Sequence, residues 1–192
     1  MRVLLSAVVV TGVIGVLLVG CSASPGPAPT VTHDTGIPSL TGDWVLTRTV
    51  TTAGAQTGYT VGDTEKRYLK IAAATCSNGG CTGTLVTSDD DSVFAGGDGT
   101  SLGYHFDGTT FAYAPSPATY DCRAADDTVL IPSAYDVSYD IALTAEDDKP
   151  SGFAGSMSLT LTPASTEIEG QLVQAGCPMG GTTVFDATLD PR

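Results

Sequence analysis

Tyr135-Asp136-Val137-Ser138-Tyr139-Asp140-Ile141-Ala142-Leu143-Thr144 is the stretch that decides the fold. Large apolar or aromatic side chains alternate with short polar ones. A period of two puts the first set on one face of a strand and the second on the other. Phe153-Ala154-Gly155-Ser156-Met157-Ser158-Leu159-Thr160-Leu161-Thr162 repeats the pattern. Glu146-Asp147-Asp148-Lys149-Pro150-Ser151-Gly152 between them has turn chemistry. The pair therefore reads as an antiparallel hairpin with one buried and one wet face.

Working outward, the same composition of Thr, Val, Tyr and Ala, punctuated by Gly, Pro and Asp, runs from Gly42 onward. No ten-residue segment shows a convincing helical period. Further strands are expected at Asp43–Thr52, Lys66–Thr75, Cys81–Thr87, Ser101–Asp107, Thr110–Tyr120 and Thr182–Leu189. Pro115 and Pro117 threaten the fifth, because proline cannot donate to a ladder. Eight strands on mostly short connections predict an all-β fold, an eight-stranded antiparallel up-and-down barrel over residues 41–192. Closing it would pair the first strand with the last and remove both edges. A two-sheet β-sandwich is the alternative.

The N-terminus has a different character. Met1-Arg2 is followed by an almost wholly apolar run from Val3 to Val19, broken only by Ser6 and Thr11. That composition is an export signal ending at small residues. Leu18-Val19-Gly20-Cys21 resembles the lipobox of bacterial lipoproteins, with each position fitting. The resemblance implies a signal peptide over residues 1–20, cleavage before Cys21, and a diacylglycerol on its sulfur. Residues 21–40, with Pro25, Pro27, Pro29 and Pro38, read as an extended linker. The expected address is the outer face of a cell membrane, with the lipid as the membrane partner.

Cleavage would remove Arg2 and no acidic residue, taking the formal charge from −13 to −14. Such acidity argues against nucleic acid and against lying flat on anionic lipid. With Cys21 reserved for lipid, Cys76, Cys81, Cys122 and Cys177 remain, an even number suited to two disulfides in an exported domain. In an up-and-down barrel, Cys76 and Cys81 flank one connection, while Cys122 and Cys177 both lie at the other end. Parity then predicts Cys76–Cys81 and Cys122–Cys177. Structural zinc would need ligand spacings that His33, His105 and these cysteines do not supply.

Gly42-Asp43-Trp44 resembles the G-x-W opening of lipocalins and related calycin barrels. In that family the tryptophan plugs one barrel end beneath an arginine of the last strand. Here the only late arginine is Arg192, at the terminus, so the resemblance extends to Gly42 and Trp44 alone.

Catalytic motifs dissolve in context. Asp34-Thr35-Gly36 matches an aspartic-protease triplet but has no second copy to share a proton with. Gly99-Thr100-Ser101-Leu102-Gly103 matches a nucleophile elbow, but a strand-like run follows, and His105 stands too close in the chain. Asp89-Asp90-Asp91 opens a loop whose spacing fails an EF-hand at Val93, so solvation is the plain reading. Arg48 is the exception, falling on the inward face with Trp44, Leu46 and Val50. A buried guanidinium needs a protein carboxylate or an anionic ligand head.

The expectation is a non-enzymatic, lipid-anchored barrel needing no cofactor beyond the covalent lipid, and binding a small apolar or amphipathic molecule. Trp44, Leu46, Arg48, Tyr104, Phe106, Phe111, Tyr135, Tyr139 and Phe153 are the candidate lining residues. A filled barrel serving as a structural or protein-interaction module of the envelope is the alternative, because eight strands leave room for side chains or one small ligand.

Overall fold

A computed structural model describes residues 37–77, 79–115, 117–146 and 151–192. The expected signal peptide, Cys21, His33 and the Asp34-Thr35-Gly36 triplet lie outside the described residues. So do most of the linker and the middle of the turn after Glu146.

The strands are β1 (Gly42–Thr52), β2 (Thr64–Ile71), β3 (Thr75–Ser77), β4 (Gly80–Ser88) and β5 (Thr100–Phe106). They continue as β6 (Thr110–Tyr113), β7 (Ala118–Arg123), β8 (Val129–Ala145), β9 (Phe153–Pro163) and β10 (Gly181–Pro191), with, among the described residues, one α-helix, α1 (Thr166–Ala175), and a short 3-10 helix at Asp91–Ala95. All pairings are antiparallel. Starting from β1, the circuit runs through β2, β4, β5, β6, β8, β9 and β10, and β10 returns to β1. Eight strands thus close a barrel in sequence order, with the first and last strands paired as expected. β3 folds back on β4 as a short hairpin, and β7 lies on β8 beyond the end of β6.

Two predicted strands divide. Thr110–Tyr120 becomes β6 and β7, parting around Pro115 and Pro117, where the backbone lacks donors. Lys66–Thr75 becomes β2, which begins earlier, and β3. The helix α1 is an addition to the expected all-strand reading. Ser165 caps its start, accepting from the Ile168 amide at 3.2 Å. At its end Gly176 adopts φ 71°, and the amides of Gly176 and Cys177 return to the carbonyls of Val173 and Leu172.

Register fixes two unlike ends. At one end Trp44, Ile71, Phe106, Phe111, Phe153 and Leu189 come together, all buried. Phe153 is the hub, with ring centroids 5.5 Å from Phe106, 5.7 Å from Phe111 and 5.8 Å from Trp44. Such tilted and edge-on contacts add to the burial of large apolar surface. The Trp44 indole donates to the Leu40 carbonyl at 2.8 Å, and Leu40 itself is buried. This end is filled by side chains.

The two disulfides join Cys76 to Cys81 across the β3–β4 hairpin and Cys122 in β7 to Cys177 after α1. They sit toward opposite ends of the barrel, the parity expected of an up-and-down order. Among the described residues no helix is long and apolar enough to cross a membrane.

Candidate ligand site at the barrel mouth

The end opposite the aromatic plug is built differently. On β1, alternation continues inward from Trp44 and Leu46 to Arg48, which is 5% exposed. Register sets Glu65 of β2 opposite Arg48. Arg48 Nη2 and Nε donate to Glu65 Oε2 at 2.5 and 2.9 Å, and Nη2 donates to the Tyr59 hydroxyl at 3.1 Å. The guanidinium also lies 4.8 Å above the Phe185 ring. A buried cation is tolerable only with such partners. Burial lowers the Arg48 pKa, but bonding to Glu65 and the attraction of Tyr59 and Glu65 outweigh it, leaving the pKa raised. Tyr59 is pushed up to about 12 by its own burial, against the pull of Arg48.

Tyr59 belongs to the loop between β1 and β2, which folds over this end. Thr57 and Thr183 hold the loop: Thr183 Oγ1 donates to Thr57 Oγ1 at 2.8 Å, and the Gly54 amide donates to Thr183 Oγ1 at 2.9 Å. Tyr59 stands edge-on to Phe185 at 5.2 Å.

Beside this clamp lies a cavity of about 330 Å³. Leu102 and Met157 form its apolar side, with Pro115 and Ala118 at the β6–β7 junction, and Thr87 and Thr100 face each other across β4 and β5. Arg48, Arg67, Tyr113 and Tyr139, with Thr87 and Thr100, supply the polar lining, which among the described residues includes no carboxylate. Burial raises the pKa of Tyr113 and of Tyr139, with Arg48 and Arg67 pulling both the other way, so the phenols stay protonated donors. Next to it the wall is incomplete. β6 meets β8 only at Thr110–Thr144 and Phe111–Leu143 among the described residues, and beyond them Tyr113 and Tyr139 border a second, more open cleft.

Of the residues expected to line a site, Arg48 and Tyr139 reach this cavity. Trp44, Phe106, Phe111 and Phe153 form the plug at the other end, and Leu46 is fully buried. Tyr104 bonds the Ala72 carbonyl at 3.2 Å, and Tyr135 bonds the Pro178 carbonyl at 2.7 Å. Arg67 and Tyr113 were not anticipated, although Glu65, Arg67, Leu69 and Ile71 share one parity along β2. The acidic loop is exposed, yet each of its first three carboxylates has a task. Asp89 pairs with Arg67, Asp90 caps a short 3-10 helix through the Ser92 amide at 2.7 Å, and Asp91 lies 3.6 Å from Arg192. Those bonds to Ser92 hold the Asp90 carboxyl below its usual range. Ser101 and His105 point outward on β5, an unbroken strand, so the elbow geometry is absent there.

No family model matches the chain, and no curated protein matches it. Among solved structures, the chain is similar to the PknI sensor domain of M. tuberculosis in its monomer form. The TM-score is 0.47 at 9% identity, over 81% of this chain and 88% of that one.

Proposed function

We propose that the protein is an extracytoplasmic lipoprotein, held to the outer face of the cell membrane through a diacylglycerol on Cys21, whose barrel mouth binds a small amphipathic molecule. The observation that carries the binding role is the cavity of about 330 Å³, apolar on one side and lined by guanidinium and phenol groups on the other. Its size is at the small end of ligand pockets, about 300–1,000 Å³. Two disulfides suit an oxidising compartment. The proline-rich stretch after Cys21 would stand the domain off the membrane. The role is one of binding rather than catalysis, since the serine and histidine of the apparent elbow face solvent on a strand.

The filled plug around Phe153 favours a second reading, a packed module that meets other envelope components through its acidic exterior. One pair of variants separates the two. Ala118→Trp places a large side chain at the exposed rim of the cavity without disturbing the plug. Titrated with N-phenylnaphthylamine, a neutral fluorescent probe, the unmodified domain is expected to show saturable one-site binding and Ala118→Trp none. Absent or unchanged binding would leave the packed module. Mass spectrometry of the full chain extracted from membranes should find it cut before Cys21 with a diacylglycerol on that residue; an unmodified Cys21 would refute the lipid anchor.

A further inference from the structure

We infer that the mouth selects an amphipathic anion, with Arg67 taking the anionic group and Asp89 serving as the carboxylate that the ligand displaces. This rests on the binding role proposed above and specifies its ligand.

The chain carries 21 acidic residues against eight basic ones, so an arbitrary cavity should be bordered by carboxylates. Among the described residues, this one takes in two of the four arginines that follow Cys21 and no acidic side chain. The two are not equivalent. Arg48 is buried and held by Glu65 and Tyr59 through Nε and Nη2, so its position is fixed and its charge is already partnered within the protein. Arg67, opposite Leu46 on β2, is 36% exposed and pairs with Asp89, which is 74% exposed. Exposed pairs of this kind are weak and readily exchanged. Arg67 also borders an outer groove with Glu65, Lys66 and Asp89, so its head sits between the cavity and solvent. A carboxylate already rests on this guanidinium, at the rim, on a side chain that can swing into water.

The rest of the lining matches the same ligand. Protonated Tyr113 and Tyr139 and the hydroxyls of Thr87 and Thr100, opposite each other in register, offer O–H donors to an anion. Leu102, Met157 and Pro115 offer apolar surface to the body behind it. A guanidinium beside such donors, partly shielded from water, binds an anion far better than a solvated lysine does.

The test compares two dyes that share an aromatic body: anilinonaphthalene sulfonate, an anion, and N-phenylnaphthylamine, which lacks the sulfonate. The domain is expected to bind the anion at least about tenfold more tightly. Arg67→Gln should remove that advantage and leave the neutral dye within about twofold. Asp89→Asn should tighten the anion alone by about twofold to fivefold, the worth of an exposed pair. Partial unfolding exposes apolar surface and would raise the binding of both dyes, so tightening of the anion alone separates the exchange from misfolding. Decanoate and decyl phosphate, as competitors, distinguish a carboxylate from a phosphate headgroup, and decanol should displace poorly. Equal binding of both dyes, each blocked by Ala118→Trp but indifferent to Arg67→Gln, would overturn the anion assignment and leave the binding site standing. Failure of both dyes to bind would overturn the binding role itself.

Discussion

At the scale of residues, Arg48 shows what the amino-acid order conveys and what it withholds. Period two along β1 is enough to turn it inward, and elementary electrostatics then demands an acceptor. The identity of that acceptor depends on the register between β1 and β2, which no local pattern specifies. Placing the start of the second strand at Lys66 leaves Glu65 outside the strand. Its true start at Thr64 brings Glu65 opposite Arg48. Glu65→Ala should therefore cost about 1–3 kcal/mol in urea unfolding, since it strands a buried cation. The double variant Arg48→Met/Glu65→Leu should recover at least half of that loss. A Glu65→Ala variant as stable as the parent would show that the pair contributes only charge balance.

At the scale of elements, strict alternation made the β8–β9 hairpin legible, and the two prolines marked where the expected fifth strand parts. Helix α1 was not legible: it has ten residues, Gly170 lies in its middle, and its apolar positions are few. Of these Leu172 is buried while Val173 is 69% exposed. Its caps, Ser165 and Gly176, are common in loops too, so they do not announce a helix by themselves. The β8–β9 pairing also depends on Gly155, where an added Cβ would run into the Ala142 carbonyl oxygen. Gly155→Ala should destabilise the barrel by about 1–3 kcal/mol, the range of overpacked sites. Gly103→Ala, with open space at its Cβ position, should fall within about 0.5 kcal/mol of the parent. Thermal or chemical unfolding of the two side by side measures the difference; equal effects would mean that β9 can move away from β8.

At the scale of the molecule, the barrel is asymmetric along its axis. Aromatic side chains close one end, while a loop, an Arg48–Glu65–Tyr59 clamp and a cavity make up the other. Strand number, closure and disulfide pairing could be read from alternation and cysteine parity. Which end would be open could not, because each inward-facing set contains large residues and only register decides which of them meet. Four of the nine expected lining residues therefore belong to the plug, and Arg67, which shares β2 with Leu69 and Ile71, is not among the nine. A mouth that binds ligand predicts a spatially confined response. Backbone amide shifts of the domain, followed by NMR during titration with anilinonaphthalene sulfonate, should change around Arg48, Arg67, Thr100, Tyr113 and Tyr139 and stay fixed around Trp44, Phe106 and Phe153. Shifts centred on the plug, scattered over the acidic exterior, or missing altogether would contradict the account.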